Sequence, residues 1–447
     1  MLVKFRIINF LSFEKEQVFS MIAGKYRSFS DRVYRNGKYN LLRFMSIYGA
    51  NASGKSNLVS AFGVFKSIVL GGLGNTSYPY YCKSNGNNKD KPSLFEITID
   101  INGKIFIYGF ELLLATNSVL HEWLHEELKN GSINEVFDRD VVAGTIRFGS
   151  FIRTPAYIDR LNIYGEDVKT DDSVLFLKLM NQNKDSLYKN NDRISVFKVV
   201  YSWIRFKLSV NSPEMPITNY SWLIDKNNLD EIKKSLECFS TGIVDVAIAD
   251  VSPDKVAADI PKEMMKEVHE MLSDQRNQNI ENPAVLLRSS YNALFIISTD
   301  TDGNYSYKTF NFTHQNSDSI FSLEEESDGT VRLLDIIEIL LNKDTEKVYV
   351  VDEINRMFHP LLTRKFVKEY LEMAKSRNTQ LIVTTHESQL MDLSLLRKDE
   401  ISFVNKDTDG NTCVYSLTKY DDRYDKKIIS DYFKGKYDAI PFPIDTI

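Results

Sequence analysis

The sequence has little of what disulfide-rich, membrane-spanning and coiled-coil proteins need. Its 447 residues include three cysteines, Cys82, Cys238 and Cys413, which are scattered without paired spacing. Such spacing predicts neither a disulfide framework nor a cysteine-based zinc site, and it fits a reducing compartment. No apolar run approaches the roughly 18 residues of a membrane span, and no heptad repeat predicts a coiled coil. We therefore expect a cytoplasmic protein without membrane attachment.

An excess of basic residues is also missing. The chain carries 61 acidic and 55 basic residues, a net charge of −6. The field of the whole protein therefore does not favour nucleic acid, which leaves only a local basic groove open. The hydrophobic content of 43% and charged content of 26% are those of an ordinary globular protein. The length allows two or three domains, or one large domain with an insertion.

A glycine-containing stretch follows an apolar strand near the start of the chain. Residues 49–56 read Gly-x-x-x-x-Gly-Lys-Ser, with strand-like residues 44–48 before them and helical apolar spacing at 57–65 after them. Strand, glycine loop and helix together predict a phosphate-binding loop, whose backbone N–H groups and helix N-terminus favour phosphate oxygens. Lys55 is expected to reach the β- and γ-phosphates and Ser56 to hold Mg²⁺. The residues expected to bind nucleotide here are Gly49, Asn51, Ala52, Ser53, Gly54, Lys55, Ser56 and Asn57.

A later apolar strand ends in two acids. Residues 348–351 are Val-Tyr-Val-Val, and Asp352 and Glu353 follow them. A buried strand that ends in this way places both carboxylates at the carboxyl edge of a parallel sheet, where α/β folds bind ligands. We expect Asp352 to contact Mg²⁺ and Glu353 to orient or deprotonate the attacking water. Alone, the pattern also fits a strand that ends in solvated acids.

The next apolar strand, residues 380–385, ends in His386. One predicted helix, residues 359–375, separates it from the Asp-Glu strand. Such a βαβ unit makes the two strands parallel neighbours. His386 is then expected at the same sheet edge, within reach of a γ-phosphate.

A polar turn with a serine and a glycine precedes another predicted helix, residues 331–341. Ser327 and Gly329 lie just before that helix N-terminus, which is a natural phosphate binder. Two copies of the chain could pack head to tail, each offering this turn to the other's nucleotide. The turn fits an ordinary helix N-cap equally well.

The middle of the chain has a different pattern. Alternating residues 94–101 and 104–110 flank Asn102-Gly103, which predicts a hairpin and an antiparallel sheet after the phosphate-loop helix. From about 155 to 285, apolar spacing of three and four residues predicts helices instead. The predicted helices are Ser173–Met180, Ile194–Leu208, Leu229–Phe239 and Pro261–Leu272.

Four stretches together carry a resemblance to a known family. In chain order they are Gly49–Ser56, Ser327–Thr330, Val350–Glu353 and Thr384–His386. Their order resembles that in the ABC-type ATPase heads of the SMC, RecF and OLD group. More narrowly, residues 352–364 resemble the DEID-x-x-x-HP-x-L segment of bacterial AAA-type ATPases of the RloA and AbiL kind. Residues 433–442 resemble the G-x-Y-x-A-I-P tail of those same proteins.

The resemblance implies an α/β P-loop NTPase of ABC-ATPase type with a mixed sheet. The residue patterns described above add an antiparallel β subdomain and a helical insertion. The expected divisions are 1–155 for the first half of the ATPase domain, 156–288 for the helical insertion and 289–447 for the second half. The implied cofactors are ATP and Mg²⁺. Lys55, Glu353 and His386 are the implied catalytic residues, and Ser56 and Asp352 the implied metal ligands. Ser327 and Gly329 are the implied signature that acts on the second copy's nucleotide.

The resemblance also implies an ATPase that assembles as a homodimer or higher oligomer around ATP. Bacterial defence against phage, with a separate nuclease or toxin as effector, is the implied role. A DNA repair or recombination ATPase is the alternative, although the acidic chain without coiled-coil arms fits it less well. A self-contained OLD-type nuclease is not expected. About sixty residues follow His386, fewer than the roughly hundred of a further domain, and Asp407-Thr408-Asp409 precedes Gly410-Asn411 as a hairpin turn.

Overall fold

The computed structural model describes residues 1–35, 37–75, 80–189, 193–213, 226–277, 283–289, 292–343, 346–420 and 428–440. It consists of two compact units. The first comprises Met1–Pro213, Asp344–Ile354 and Leu371–Ile447, and the second comprises Glu214–Lys343 and Asn355–Tyr370. Across the described residues, every helix falls short of the length or the apolar character that a transmembrane span requires.

The secondary-structure elements are numbered in chain order. The strands are β1 (Leu2–Ile8), β2 (Gln17–Ser20), β3 (Phe44–Tyr48), β4 (Ser93–Ile101), β5 (Lys104–Leu113), β6 (Ser118–Glu127), β7 (Ile133–Asp140), β8 (Thr145–Phe148), β9 (Leu208–Asn211), β10 (Ile243–Asp250), β11 (Ala284–Arg288), β12 (Leu294–Thr299), β13 (Tyr305–His314), β14 (Ile320–Ser322), β15 (Val348–Val351), β16 (Gln380–Thr384), β17 (Ile401–Lys406) and β18 (Thr412–Ser416). The helices are α1 (Lys55–Gly71), α2 (Pro155–Val168), α3 (Phe176–Met180), α4 (Val196–Phe206), α5 (Lys226–Cys238), α6 (Pro253–Asp259), α7 (Lys262–Asn277), α8 (Asp328–Ile336), α9 (Glu338–Leu341), α10 (Pro360–Ala374) and α11 (Ile428–Phe433).

A mixed sheet in the first unit carries the elements that the sequence predicts for the site. Its strand order is β18-β17-β3-β16-β15-β9. Strands β9, β15, β16, β3 and β17 pair in parallel, and β18 pairs with β17 in antiparallel fashion. Every residue of β3, β15 and β16 is buried, as expected for apolar strands covered on both faces. The predicted parallel pairing of β15 and β16, with α10 between them in sequence, is confirmed.

The second sheet of this unit is antiparallel, with the order β2-β1-β4-β5-β6-β7-β8. Asn102 and Gly103 have φ values of 52° and 81°, so the β4–β5 hairpin closes through a turn with positive φ at both central residues. The expected antiparallel subdomain after α1 is therefore confirmed. The expected turn at the β17–β18 connection is also present, because the Asp407 carboxylate accepts hydrogen bonds from the Asp409 and Asn411 N–H groups.

Aromatic packing on α1 holds the helix that follows the glycine loop. Phe62 of α1 stacks on Phe5 of β1, with ring centroids 4.1 Å apart. Phe65 stacks on Phe110 of β5 at 5.5 Å with nearly parallel rings. One hydrophobic core joins these residues to apolar side chains of β15 and β16. Burying such side chains contributes roughly 1.5–3 kcal/mol each, so the start of α1 is anchored by the whole core.

The second unit contains a smaller antiparallel sheet of order β10-β13-β12-β11, with β14 paired to β13. Helices α6 and α7 cover it through a small core that includes Val256, Leu272, Phe295 and Ile297. The described part of this unit also holds α5, α8 and α9.

The segment 156–288 is less helical than the sequence predicts. It contains α2 to α7, but it also contains β9, β10 and β11. Residues 194–208 were expected to form one helix, yet α4 ends at Phe206 and Leu208 begins β9, which pairs in parallel with β15. The four residues of β9, Leu-Ser-Val-Asn, are too few to reveal a strand period, so pairing with a distant strand decides their conformation.

Candidate functional site

The glycine loop lies between the end of β3 and the start of α1. A Cβ atom on Gly49 would overlap the carbonyl oxygen of Val404 and come within 2.6 Å of Ser53 Oγ. Ala52 has a φ of 61° and Gly54 a φ of 111°. The loop is therefore a tight backbone curl that requires glycine at both ends, Gly49 and Gly54, for steric reasons. Ser53 Oγ is buried, and no hydrogen-bond partner for it occurs among the described residues.

Two hydroxyl groups from distant parts of the chain brace this loop. Thr412 Oγ1 of β18 donates to the carbonyl oxygen of Ser53 at 2.9 Å. It also lies 2.7 Å from Ser12 Oγ, which accepts a hydrogen bond from Asn57 Nδ2 at 2.6 Å. A Cβ on Gly54 would overlap Thr412 Oγ1. Asn57 was predicted to belong to the site, whereas nothing in the local sequence around Ser12 or Thr412 indicates their contribution.

Lys55 lies over the loop that it follows. Its Nζ donates to the carbonyl oxygens of Gly49 at 3.0 Å and Ala50 at 2.9 Å. Burial lowers the pKa of Lys55, and the carboxylates of Asp352 and Glu353 oppose that shift. Ser56 follows in the first turn of α1 and is exposed, as are Asn51 and Ala52. The lysine is thus held beside both predicted acids at the mouth of the loop.

Asp352 and Glu353 lie at the carboxyl end of β15, as the sequence predicts. The Thr384 hydroxyl of β16 donates to Asp352 Oδ1 and accepts from the Glu353 N–H at 2.8 Å. The N–H of Asp352 donates to the carbonyl oxygen of Asn211 in β9 at 3.0 Å. Glu353 has a φ of 47°, a left-handed conformation that is uncommon outside glycine and recurs at functional sites.

His386 follows β16 at the same edge of the sheet. The preceding Thr385 N–H donates to the Ile47 carbonyl oxygen of β3 at 3.0 Å, which holds this strand end beside the glycine loop. Loss of solvent lowers the pKa of His386, the Lys55 charge lowers it further, and Glu353 and Asp352 oppose both effects. The structure therefore brings together Lys55, Asp352, Glu353 and His386.

The donor set fits a nucleotide with its metal ion. Added Cβ atoms at Gly49 and Gly54 would overlap the Val404 carbonyl oxygen and the Thr412 side chain, so the loop excludes side chains at both positions. The Ser53 hydroxyl is buried in the same loop with no hydrogen-bond partner among the described residues. The Ser56 hydroxyl and the Asp352 carboxylate are oxygen ligands of the type that Mg²⁺ prefers. A lysine, two acids and an imidazole complete the groups that phosphoryl chemistry uses.

Ser327 and Gly329 belong to the second unit, where they begin α8. Ser327 is the N-cap residue, and its Oγ accepts from the Thr330 N–H at 3.2 Å. A Cβ on Gly329 would lie 3.1 Å from the Met357 carbonyl oxygen, so backbone passes close to this position. Glu326 Oε1 lies 2.7 Å from His314 Nε2 just before the turn. The N-cap interpretation is thus observed, and a role towards a second copy stays a prediction.

Comparison with known proteins points to one family. A family model described as "AAA domain, putative AbiEii toxin, Type IV TA system" matches residues 44–156 and 250–392. No curated protein matches the chain.

Several solved structures match over nearly all of the chain but with low similarity. An SMC head bound to the C-terminal winged-helix domain of ScpA is 16% identical, covers 94% of this chain and 98% of that chain, and has a TM-score of 0.40. The SMC head domain from Thermotoga maritima is 14% identical, covers 93% of this chain and 98% of that chain, and has a TM-score of 0.35. An SMC head with an extended coiled coil, bound to the C-terminal domain of ScpA from Pyrococcus furiosus, is 16% identical. It covers 94% of this chain and 97% of that chain, with a TM-score of 0.36. Similarity this low carries no argument about function.

The family model spans the glycine loop, the Asp-Glu strand and His386, and it covers more than half of the sequence. The described fold is likewise that of an α/β P-loop NTPase with mixed sheets. The chain belongs to the family of AAA domains that this model describes.

Proposed function

We propose that this chain binds and hydrolyses ATP in the presence of Mg²⁺. The observation that carries the proposal is the convergence of Lys55, Asp352, Glu353 and His386 at one sheet edge beside the glycine loop. Mg²⁺, when bound, neutralises charge on the phosphate oxygens.

Each residue of the site has a role in this proposal. Lys55 exchanges its contacts with the Gly49 and Ala50 carbonyl groups for phosphate oxygens. Ser56 and Asp352 hold the metal ion. Glu353 orients and deprotonates the attacking water, and His386 contacts the γ-phosphate.

We further propose that two copies close around ATP. A nucleotide held by one glycine loop would meet Ser327 and the start of α8 from the second copy. The N-cap geometry of Ser327 supports this, because the first N–H groups of an α-helix attract phosphate. The order of the four motifs, which resembles that of ABC-type ATPase heads, supports it as well.

The biological role that we propose is a cytoplasmic switch in bacterial defence against phage. Two observations support it. The family description includes a toxin of a type IV toxin–antitoxin system, and residues 352–364 resemble the corresponding segment of RloA- and AbiL-type ATPases. In this proposal the chain senses or regulates, and a separate nuclease or toxin acts as the effector.

Light scattering tests the ATP-driven assembly. Wild type, Lys55→Ala and Glu353→Gln are each measured with and without ATP and Mg²⁺, together with ATP turnover. Glu353→Gln should bind ATP without hydrolysing it and shift to a larger mass, because the hydrolytic step is removed while the phosphate contacts remain. Lys55→Ala should neither bind ATP nor change mass.

Matched controls lie at the C-terminal end of α2. Lys169→Ala and Glu166→Gln remove an exposed pair whose atoms are 2.6 Å apart, and both should behave as wild type. Unchanged turnover in Glu353→Gln would contradict the catalytic assignment. An identical mass in all conditions would contradict assembly around ATP, whereas strong stimulation of turnover by duplex DNA would favour a repair ATPase.

A further inference from the structure

A cluster of histidine and carboxylate side chains lies on the antiparallel sheet, outside the nucleotide site. His121 and His125 are four residues apart on β6, so they share one face of the strand. Glu135 and Asp138 on the neighbouring β7 are three residues apart, and a regular strand would place them on opposite faces. The register shifts between Leu124 and His125, however, so that His125 is opposite Glu135 while Leu124 is opposite Phe137.

This shift is a β-bulge in β7, and bulges re-aim side chains. Its effect is that one ligand atom each of His125, Glu135 and Asp138 lies within 4.8 Å of the other two. All three residues are half-buried. His121 Nε2 lies 3.2 Å from Asp138 Oδ1. The bulge therefore assembles a group that an unbroken strand would scatter over both faces.

We propose that His125, Glu135 and Asp138 bind a divalent transition-metal ion of the Zn²⁺ type. Zinc bonds to imidazole nitrogen and carboxylate oxygen are about 2.0–2.2 Å long. The ligand atoms of a tetrahedral zinc site are then roughly 3.3 Å apart. Rotation of the three side chains shortens their present separations to this spacing. Three protein ligands leave a fourth position for water or a small ligand.

The ligand types favour a transition metal over Mg²⁺ or Ca²⁺, which prefer all-oxygen sites. His121 supports the ligand set by hydrogen bonding to Asp138, as partners of metal-bound carboxylates commonly do. Burial lowers the pKa of His125, with the carboxylates of Asp138 and Glu135 opposing the shift. A neutral imidazole is the form that binds metal.

An arginine offers a competing explanation for the two acids. Arg147 Nη2 of β8 lies 3.2 Å from Asp138 Oδ1 and 4.0 Å from Glu135 Oε2. Its guanidinium balances the same carboxylates without any metal. The Arg147 side chain is 69% exposed, and exposed ion pairs contribute little, so a metal ion can displace it. The two explanations differ in whether the wild-type chain binds a metal ion at this cluster.

Zinc binding is measured by titration calorimetry on the full-length, nucleotide-free chain, in excess Mg²⁺ to occupy the proposed Asp352 site. We expect about one Zn²⁺ per chain at this cluster. Co²⁺ in place of Zn²⁺ should give the visible absorption bands of a four-coordinate ion. His125→Ala and Asp138→Asn should each weaken Zn²⁺ binding by at least about 10-fold.

Two further variants separate this site from its alternatives. Asp352→Asn should bind Zn²⁺ as wild type does, because it alters only the nucleotide site. Arg147→Ala should bind Zn²⁺ as tightly or more tightly. Circular dichroism checks that each variant folds, and Glu135→Gln gives a second, milder test of the ligand set. The proposal is overturned if wild type binds no Zn²⁺, or if folded His125→Ala and Glu135→Gln both bind it unchanged. Weaker binding by Arg147→Ala would overturn it too.

Discussion

Thr384 and Asp352 join the ends of two neighbouring parallel strands, because the Thr384 hydroxyl donates to Asp352 Oδ1. The same hydroxyl accepts a hydrogen bond from the N–H of Glu353. One side chain on β16 therefore positions both acids at the end of β15. Since hydroxyl groups donate only one proton, these two contacts also fix the orientation of the Thr384 hydroxyl.

Replacement of Thr384 by valine tests that arrangement. Valine keeps the shape but removes both hydrogen bonds, so we expect ATP turnover to fall by about 10-fold or more and the free energy of unfolding to fall by about 1–3 kcal/mol. Turnover assays and urea unfolding measure the two effects. Thr309→Val, which removes a hydrogen bond to Leu294 in the second unit, should lower stability while leaving turnover unchanged. Wild-type turnover in Thr384→Val would show that Thr384 does not position the acids.

Alanine at Gly49 should abolish ATP binding. The added methyl group would overlap the Val404 carbonyl oxygen of β17, which sheet hydrogen bonds hold in place, and would crowd Ser53 Oγ. The loop must then open, and its N–H groups lose their common direction. Titration calorimetry with a non-hydrolysable ATP analogue measures the loss. Gly86→Ala is the control, because its added Cβ meets no atom within 4 Å. Equal affinity in Gly49→Ala and wild type would contradict the assigned loop geometry.

Thr412 should contribute to nucleotide affinity although it is far from the loop in sequence. Thr412→Val removes the hydrogen bond to the Ser53 carbonyl oxygen and the contact with Ser12 Oγ. A net loss of about 1.4 kcal/mol corresponds to a 10-fold weaker Kd for ATP. The Kd is measured by fluorescence titration with a labelled nucleotide. Thr116→Val, in an exposed turn between β5 and β6, should leave the Kd for ATP unchanged. An unchanged Kd in Thr412→Val would rule out the bracing role of Thr412.

Glu400 should make folding stability depend on pH. Burial raises the pKa of Glu400 from 4.5 to about 8, and the nearby Asp399 charge adds to that shift, while the Arg397 N–H bond and the charges of Arg32 and Arg397 oppose it. The folded protein therefore keeps a proton that the unfolded chain releases near pH 4.5. The contribution of Glu400 protonation to the free energy of unfolding is complete below pH 4.5 and is lost as the pH rises to about 8.

The loss over this range is on the order of a few kcal/mol. Glu400→Gln cannot release a proton, so its free energy of unfolding should exceed that of wild type at pH 8 by more than it does at pH 5. Urea unfolding at both pH values measures this difference. Parallel pH dependence in the two proteins would contradict the assignment. Glu166→Gln, at an exposed position on α2, serves as the control.

Much of the geometry of the candidate site could be predicted because its parts are local. The strand, glycine loop and helix at 44–65 occupy consecutive residues, and the acids at 352–353 follow their strand directly. Apolar runs of four or five residues made these strands recognisable, and the intervening helix predicted their parallel pairing, which the structure confirms. The glycines were recognisable from the Gly-x-x-x-x-Gly-Lys-Ser spacing. The structure adds the steric reason at Gly49, where a Cβ would overlap the Val404 carbonyl oxygen.

The tertiary structure decided what depends on distant residues. Thr412 and Ser12 reach the loop from opposite ends of the chain, and no local pattern distinguishes them from other polar residues. The helix predicted for residues 194–208 ends at Phe206, and Leu208 instead begins β9, which pairs with β15. The bulge in β7 places Glu135 and Asp138 on one face only because β6 sets the register. Sequence alone determines local conformation and charge, whereas pairing between remote segments determines which side chains meet.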